Sequence, residues 1–151
     1  FHNRWLSLHP GVRRFHDRVR QSLERDRTIT NKFGFRMVYF DRIDNCFTQA
    51  LAWIPQSTTA LCSYQGAIQL ERRYWPHQQA RGWLPSSGRD LEGLILQTHD
   101  SVNFQFPTYA LPSKQELTET LSCVVPYDDP MVIPWSLKQS TKSWGEMEKF
   151  T

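Results

Sequence analysis

The sequence predicts an α+β chain, and three patterns carry that reading. Residues 94–106 (Leu-Ile-Leu-Gln-Thr-His-Asp-Ser-Val-Asn-Phe-Gln-Phe) run apolar, stop at His99-Asp100, then alternate, with Val102, Phe104 and Phe106 set against Asn103 and Gln105. That is the pattern of an antiparallel hairpin with an acid at its tip. Pro10 precedes an apolar stripe of Val12, Phe15, Val19 and Leu23, the signature of an amphipathic helix with proline at its first position. Ser113 and Glu116 have the spacing of a capping box, which opens a further helix.

The elements follow in order. In the helix begun by Pro10, Arg13, Arg14, Arg18 and Arg20 lie mostly off the apolar stripe. Residues 28–40 are rich in β-formers, with Asn31 and Gly34 as turn residues, and predict a small hairpin. Asp41–Trp53 reads as a helix that ends before Pro55, because a residue preceding proline avoids the α region. Pro55 should start the next helix, running to about Arg73 with Leu61, Tyr64 and Ile68 as its inner face. Residues 75–91 hold Pro76, Gly82, Pro85, paired serines and Gly88, a loop composition. The helix after Ser113 should bury Leu117, Leu121 and Val124. Tyr127-Asp-Asp-Pro130 is a turn, and Met131, Ile133, Trp135 and Leu137 alternate as a last strand that Pro134 confines to an edge or bulge.

Composition sets bounds. At 151 residues the chain is long enough for one hydrophobic core, and its net charge of +3 is too small to argue for nucleic acid unaided. Residues 1–28 hold seven arginines against Asp17, Glu24 and Asp26, a local excess of +4. Such a face suits phosphate, although basic helical faces are more often simply solvated. Cys46, Cys62 and Cys123 are odd in number and form no Cys-x-x-Cys or Cys/His pattern, so core thiols are expected rather than a disulfide framework or zinc site. No apolar run approaches the length of a membrane span, and no signal peptide is visible.

The 94–106 segment resembles motif C of the family A DNA polymerases, the palm-domain hairpin that supplies a catalytic metal-binding aspartate. Trp5–His16 resembles the segment after the nucleotide-binding helix of the fingers, and Asn31-Lys-Phe-Gly-Phe-Arg36 the turn usually written Gly-Arg-Arg. Ala50–Thr58 (Ala-Leu-Ala-Trp-Ile-Pro-Gln-Ser-Thr) resembles the Pro-Gln segment opening the helix that lies along the template–primer duplex. Ile133–Lys138 with Ser143-Trp-Gly145 resembles the last strand and terminal turn of these enzymes.

The resemblance covers nearly the whole chain and implies a palm-type antiparallel β-sheet with helices packed on one face. It assigns residues 1–54 to the end of the fingers and 55–151 to the duplex-contacting helix and the palm. The expected partners are primer–template DNA, deoxynucleoside triphosphates and a missing N-terminal polymerase portion, in cis or in trans. The expected place is the cytoplasm of a bacterial or phage-infected cell.

The resemblance also implies roles. Asp100 is the expected metal ligand for Mg²⁺, at a two-ion site roughly 4 Å across that is shared with residues absent from this chain. Read without the resemblance, an aspartate in a tight turn is better explained as satisfying only backbone N–H groups. His99 corresponds to the histidine near the primer terminus; by itself it reads as a packed or capping residue. Gln56 corresponds to the glutamine at the minor groove, where one amide can check pair shape without reading sequence, or it is a surface-helix glutamine. Gln97 has a packing or primer role, and Arg42 is a phosphate contact or a solvated arginine. Three positions depart from the family: Ser101 replaces a frequent glutamate, and Thr48 and Ala52 stand where bacterial polymerase I relatives have an arginine and an asparagine. These departures, with Pro-Gln-Ser-Thr, lean toward a phage-like branch. A hydrolase triad from His99, Asp100 and Ser101 fails on geometry, since neighbours at a strand end point to alternating sides.

No motif A strand and no nucleotide-binding fingers helix is found in the sequence, and Phe1 in place of Met suggests a fragment. The expectation is therefore nucleotidyl transfer by a completed enzyme, with this segment silent alone. Alternatives are one half of a split polymerase, a non-catalytic DNA-binding or partner-docking remnant, and an unrelated α+β protein that matches by accident.

Overall fold

Proline at position 10 fits the first turn of a helix because its missing N–H has no intrahelical partner there, and helix α2 spans Pro10–Asp26. It buries Val19 and Leu23, as its stripe predicts. A short helix α1, His2–Leu8, precedes it, which the sequence reading did not anticipate. The computed structural model describes residues 2–76, 92–98 and 100–150. Two units are distinguished, Phe1–Thr58 and Thr59–Thr151.

In the first unit, α2 ends on Arg27, whose left-handed backbone (φ 60°) lets its N–H bond the Leu23 carbonyl at 3.2 Å. Its guanidinium donates to the Asp41 carbonyl at 2.8 Å, which offsets the cost of a non-glycine residue in that region. The expected hairpin is present as β1 (Thr28–Thr30) and β2 (Arg36–Val38), paired antiparallel. Asn31 builds its turn: its side-chain oxygen accepts from the Phe33 and Phe35 N–H groups at 3.0 and 3.1 Å, and its amide donates to Ser57 Oγ at 3.0 Å. Gly34 supplies the positive φ of 85° that the turn requires. Val19, Leu23, Ile29, Tyr39, Cys46 and Ala50 form the core of this unit.

Helix α3 runs unbroken from Ile43 to Tyr74, with Pro55 inside it, and contributes to both units. The two helices expected on either side of Pro55 are thus one. Proline removes the bond to the Leu51 carbonyl, but the Ile54 carbonyl just before it accepts from both Ser57 Oγ and Thr58 Oγ1 (3.2 and 2.7 Å). Both are hydroxyl back-bonds of the ordinary intrahelical kind, and the helix continues through the proline despite the lost bond.

The inner face of the second half of α3 also differs from expectation. Tyr64 and Ile68 are 47% and 45% exposed, while Cys62, Ser63, Gly66, Ala67 and Leu70 are buried. Close packing decides this. A Cβ on Gly66 would stand 2.8 Å from the Leu121 carbonyl oxygen and 3.1 Å from Trp135 Cζ2. Only a face of small side chains admits helix α4 (Lys114–Leu121) at this distance. Trp135 Nε1 donates to that same Leu121 carbonyl at 2.9 Å, and Arg73 donates to Thr120 Oγ1 at 2.8 Å.

Helix α4 carries the predicted capping box. Ser113 Oγ accepts from the Glu116 N–H at 3.2 Å and the Glu116 carboxylate accepts from the Ser113 N–H at 2.9 Å. The Ser113 N–H first, and then its hydroxyl donating at 2.8 Å, hold the Glu116 carboxyl below its ordinary range. Val124, expected on the buried face, is 57% exposed, whereas Val125 is fully buried. The helix stops at Leu121, and from Cys123 the burial alternates as in a strand.

Among the described residues the strands form four separate antiparallel pairs: β1–β2, β3 (Gly93–Thr98) with β4 (Ser101–Gln105), β5 (Val124–Val125) with β6 (Met131–Val132), and β7 (Lys138–Gln139) with β8 (Glu148–Lys149). The expected last strand over 131–137 is interrupted. Residues 133–137 keep the alternating burial, but Pro134 cannot donate to a ladder, and pairing resumes only at Lys138. The loop expected over 75–91 lies, beyond Pro76, outside the described residues. The architecture is α+β, with small antiparallel sheets and, among the described residues, four α-helices.

Gly66→Ala should destabilise the chain by about 1–3 kcal/mol, because the clash with a backbone carbonyl outweighs the gain in helix propensity. Gly11→Ala, with nothing within 4 Å of the added methyl, should stabilise by roughly 0.5–1 kcal/mol. Urea unfolding followed by circular dichroism reads both, and equal shifts would contradict the packing account.

Candidate metal-binding hairpin

Thr98 pairs with Ser101, so only positions 99 and 100 lie between the two strands. A two-residue loop is the tightest common way to join antiparallel strands. Ser101 Oγ donates to the Thr98 carbonyl at 2.8 Å and braces it. The Ser101 hydroxyl is thus engaged by the hairpin itself. His99 lies outside the described residues.

A bulge at Ile95 sets the faces of the hairpin. Leu94 pairs with Phe104 and Leu96 with Asn103, so two residues of β3 oppose one of β4 there. Leu94 and Gln97 would point oppositely in a regular strand, yet here each pairs with a residue of the Val102–Phe104 face. That face rests on an aromatic base. Phe104 stacks parallel to Trp75 with centroids 6.0 Å apart, and Phe106 lies 4.6 Å from Trp75 and 5.4 Å edge-on to Tyr74. Ile95 and Leu96 stay 51% and 41% exposed. The Asn103 side-chain amide nitrogen is buried and has no hydrogen-bond partner among the described residues.

Asp100 is exposed in the turn. Its main-chain carbonyl is approached by the hydroxyl of Ser63, buried on α3, at 3.5 Å; that hydroxyl also bonds the Thr59 carbonyl at 3.2 Å. The single hydroxyl hydrogen serves the nearer Thr59 carbonyl, so Ser63 lies beside the tip without tying it, and the Asp100 carboxylate is exposed to solvent or a ligand. Gln97 sits half-buried on β3, paired with Val102. Arg42 and Gln56 belong to the first unit. Arg42 is exposed just before α3, its N–H bonded to Asp41 Oδ1 at 2.6 Å and its carbonyl accepting from the Asn45 and Cys46 N–H groups. Gln56 is exposed on α3 directly after Pro55. Thr48 is exposed and Ala52 half-buried on the same helix.

The proximity of Ser63 to the hairpin tip escaped sequence reading, since a serine inside a helix signals nothing about a neighbour 37 residues away. A thiol cluster escaped it as well. All three cysteines are free and buried. Cys123 Sγ lies 2.7 Å from Gln65 Oε1, and burial, together with a hydrogen bond to Cys123, pushes the Cys62 thiol up to about 12.

Mg²⁺ prefers one or two carboxylates, with phosphate and water completing its shell. Asp100 presents one exposed carboxylate on a two-residue loop. No group of three or more His, Cys, Asp or Glu able to hold an ion is found among the described residues. Among them, too, no helix is long and apolar enough to cross a membrane. Comparison with protein-family models, curated proteins and solved structures gives no match to this chain.

The raised Cys62 pKa has a definite sign. The folded chain keeps this proton where the unfolded chain, at its ordinary 9.0, releases it. The stabilisation is fully present below pH 9 and is lost as the pH rises toward about 12. Iodoacetamide at pH 8 should accordingly leave Cys62 unmodified in the folded chain and label it after urea unfolding, read by peptide mass spectrometry. Equal labelling in both states would refute the burial of this thiol.

Proposed function

We propose that this chain is the C-terminal segment of a DNA-directed DNA polymerase of family A, comprising the end of the fingers and the motif C half of a palm-type domain. The observation that carries the reading is the two-residue turn between Thr98 and Ser101, with Asp100 exposed at its tip. In this reading the completed enzyme extends a primer 3′ end on a template, and Asp100 is a catalytic metal ligand.

Each local feature has a task in that chemistry. The short loop restricts the Asp100 backbone, so the carboxylate meets its ligand with little reorganisation. Bound Mg²⁺ would supply Lewis acidity for the primer hydroxyl and for the leaving pyrophosphate. Ser101 contributes hydrogen bonding to the loop without adding charge beside Asp100. His99 and Gln97 are assigned to the primer side, Gln56 to the minor groove and Arg42 to a backbone phosphate. Exposed Ile95 and Leu96 beside the unpaired hairpin rim suit coverage by a further strand. That supports a chain completed by another segment, in cis or as a split polymerase. The missing partner would bring the second carboxylate and the nucleotide-binding helix, so the 151-residue chain alone should be silent.

The test is primer extension by the chain joined or mixed with its upstream polymerase portion. Extension should need Mg²⁺ and fall to background in Asp100→Asn. Extension indifferent to that substitution would remove Asp100 from catalysis. No extension with Asp100 intact would favour a DNA-binding remnant.

A further inference from the structure

The first unit holds a shallow cavity of about 230 Å³, lined by Leu6 of α1, Arg13, His16, Asp17 and Arg20 of α2, and Phe47 of α3. Its basic lining follows from helical spacing. Arg13, His16 and Arg20 stand three, four and seven residues apart and share a face, beside the stripe that buries Val19 and Leu23. Phe47 forms a fixed floor. The Arg20 guanidinium lies over its ring at 4.5 Å and His16 meets it edge-on at 6.2 Å. Stacking orients a guanidinium while leaving its N–H edge free to donate. The only carboxylate within ion-pair reach of Arg20 among the described residues is an exposed Asp44, at 3.8 Å. Arg13 has no ion-pair partner among them.

We propose that this cavity is a phosphate-binding site for a single DNA strand, with Arg13 and Arg20 as the donors, His16 beside them and Phe47 as the floor. A phosphodiester carries one charge, matching two guanidiniums opposed by Asp17, and a continuous strand needs an open cleft rather than a closed pocket. The choice of a DNA strand rests on the polymerase reading; the cavity does not. Free phosphate presents the same chemistry, so both sources must be tried.

The experiment uses the whole chain. A fluorescein-labelled oligodeoxythymidine of roughly ten nucleotides is titrated by anisotropy at several salt concentrations, and the His16 ring signals are followed by NMR with that oligonucleotide and with inorganic phosphate. The expected result is saturable binding that shifts His16, weakened about tenfold in Arg13→Ala. The salt slope should fall by roughly 0.7 for the lost contact. Arg20→Ala should weaken it likewise. Arg13 has no ion pair to lose, so its variant stays informative if Arg20→Ala unfolds. Arg14→Ala and Arg18→Ala, made singly, each remove the same charge from another face of α2 and should weaken binding far less. Equal losses in both pairs would reduce the effect to diffuse attraction and overturn the site. A His16 response to inorganic phosphate alone would reassign it to small anions, and no response to either would remove it. Asp100→Asn should leave this binding unchanged. Failed primer extension with the His16 response intact would therefore count against the polymerase reading alone.

Discussion

The second unit depends on one close approach. Gly66 leaves no room for a Cβ between α3 and the Leu121 carbonyl, and that carbonyl is satisfied by the Trp135 indole. A backbone acceptor drawn into a packed seam must find a donor, because an unmet buried carbonyl costs roughly 1–3 kcal/mol. Trp135 supplies the donor and closes the seam with its ring. Other contacts follow from the same proximity: Arg73 reaches Thr120, and Gln65 meets the Cys123 thiol. This seam also explains why Tyr64 and Ile68 remain outside, although hydrophobicity alone would turn them inward.

The hairpin inherits its placement from that seam and from the aromatic base at the end of α3. Trp75 and Tyr74 receive Phe104 and Phe106, while Ser63, eleven residues before Tyr74, lies beside the hairpin tip. The end of one helix thus fixes the hairpin at its root. A functional carboxylate gains from such support, since each degree of freedom removed beforehand need not be removed when a ligand binds. The Ile95 bulge lets Leu94 and Gln97 share the inner face and leaves Ile95 and Leu96 outside. Under the proposed function, those two residues mark where the palm is completed.

The first unit is organised by polar side chains that replace backbone partners. Asn31 stands in for missing ladder bonds in its turn and links that turn to Ser57. Ser57 and Thr58 hydroxyls bond back to the Ile54 carbonyl, and Pro55, which reads as a helix boundary, lies within a helix. A proline inside a helix is hard to foresee because locally it signals a boundary. It matters for the candidate residue Gln56, which sits on a continuous helix rather than in the first turn of a new one.

The amino-acid sequence by itself determined the local elements whose signals are short-ranged. Pro10 and its stripe fixed α2, Asn31 and Gly34 the first hairpin, Ser113 and Glu116 the cap of α4, and the break at His99-Asp100 the tip of the second hairpin. Each rests on backbone geometry or hydrogen bonds within a few residues. Sequence resemblance supplied the candidate roles of Asp100, His99, Gln97, Gln56 and Arg42. Tertiary structure alone decided which face of α3 is buried, that Pro55 lies within one helix, that Val125 rather than Val124 points inward, and that Ser63 lies beside the Asp100 backbone. Those outcomes depend on side-chain volume and hydrogen-bond partners far apart in the chain, which local periodicity does not encode.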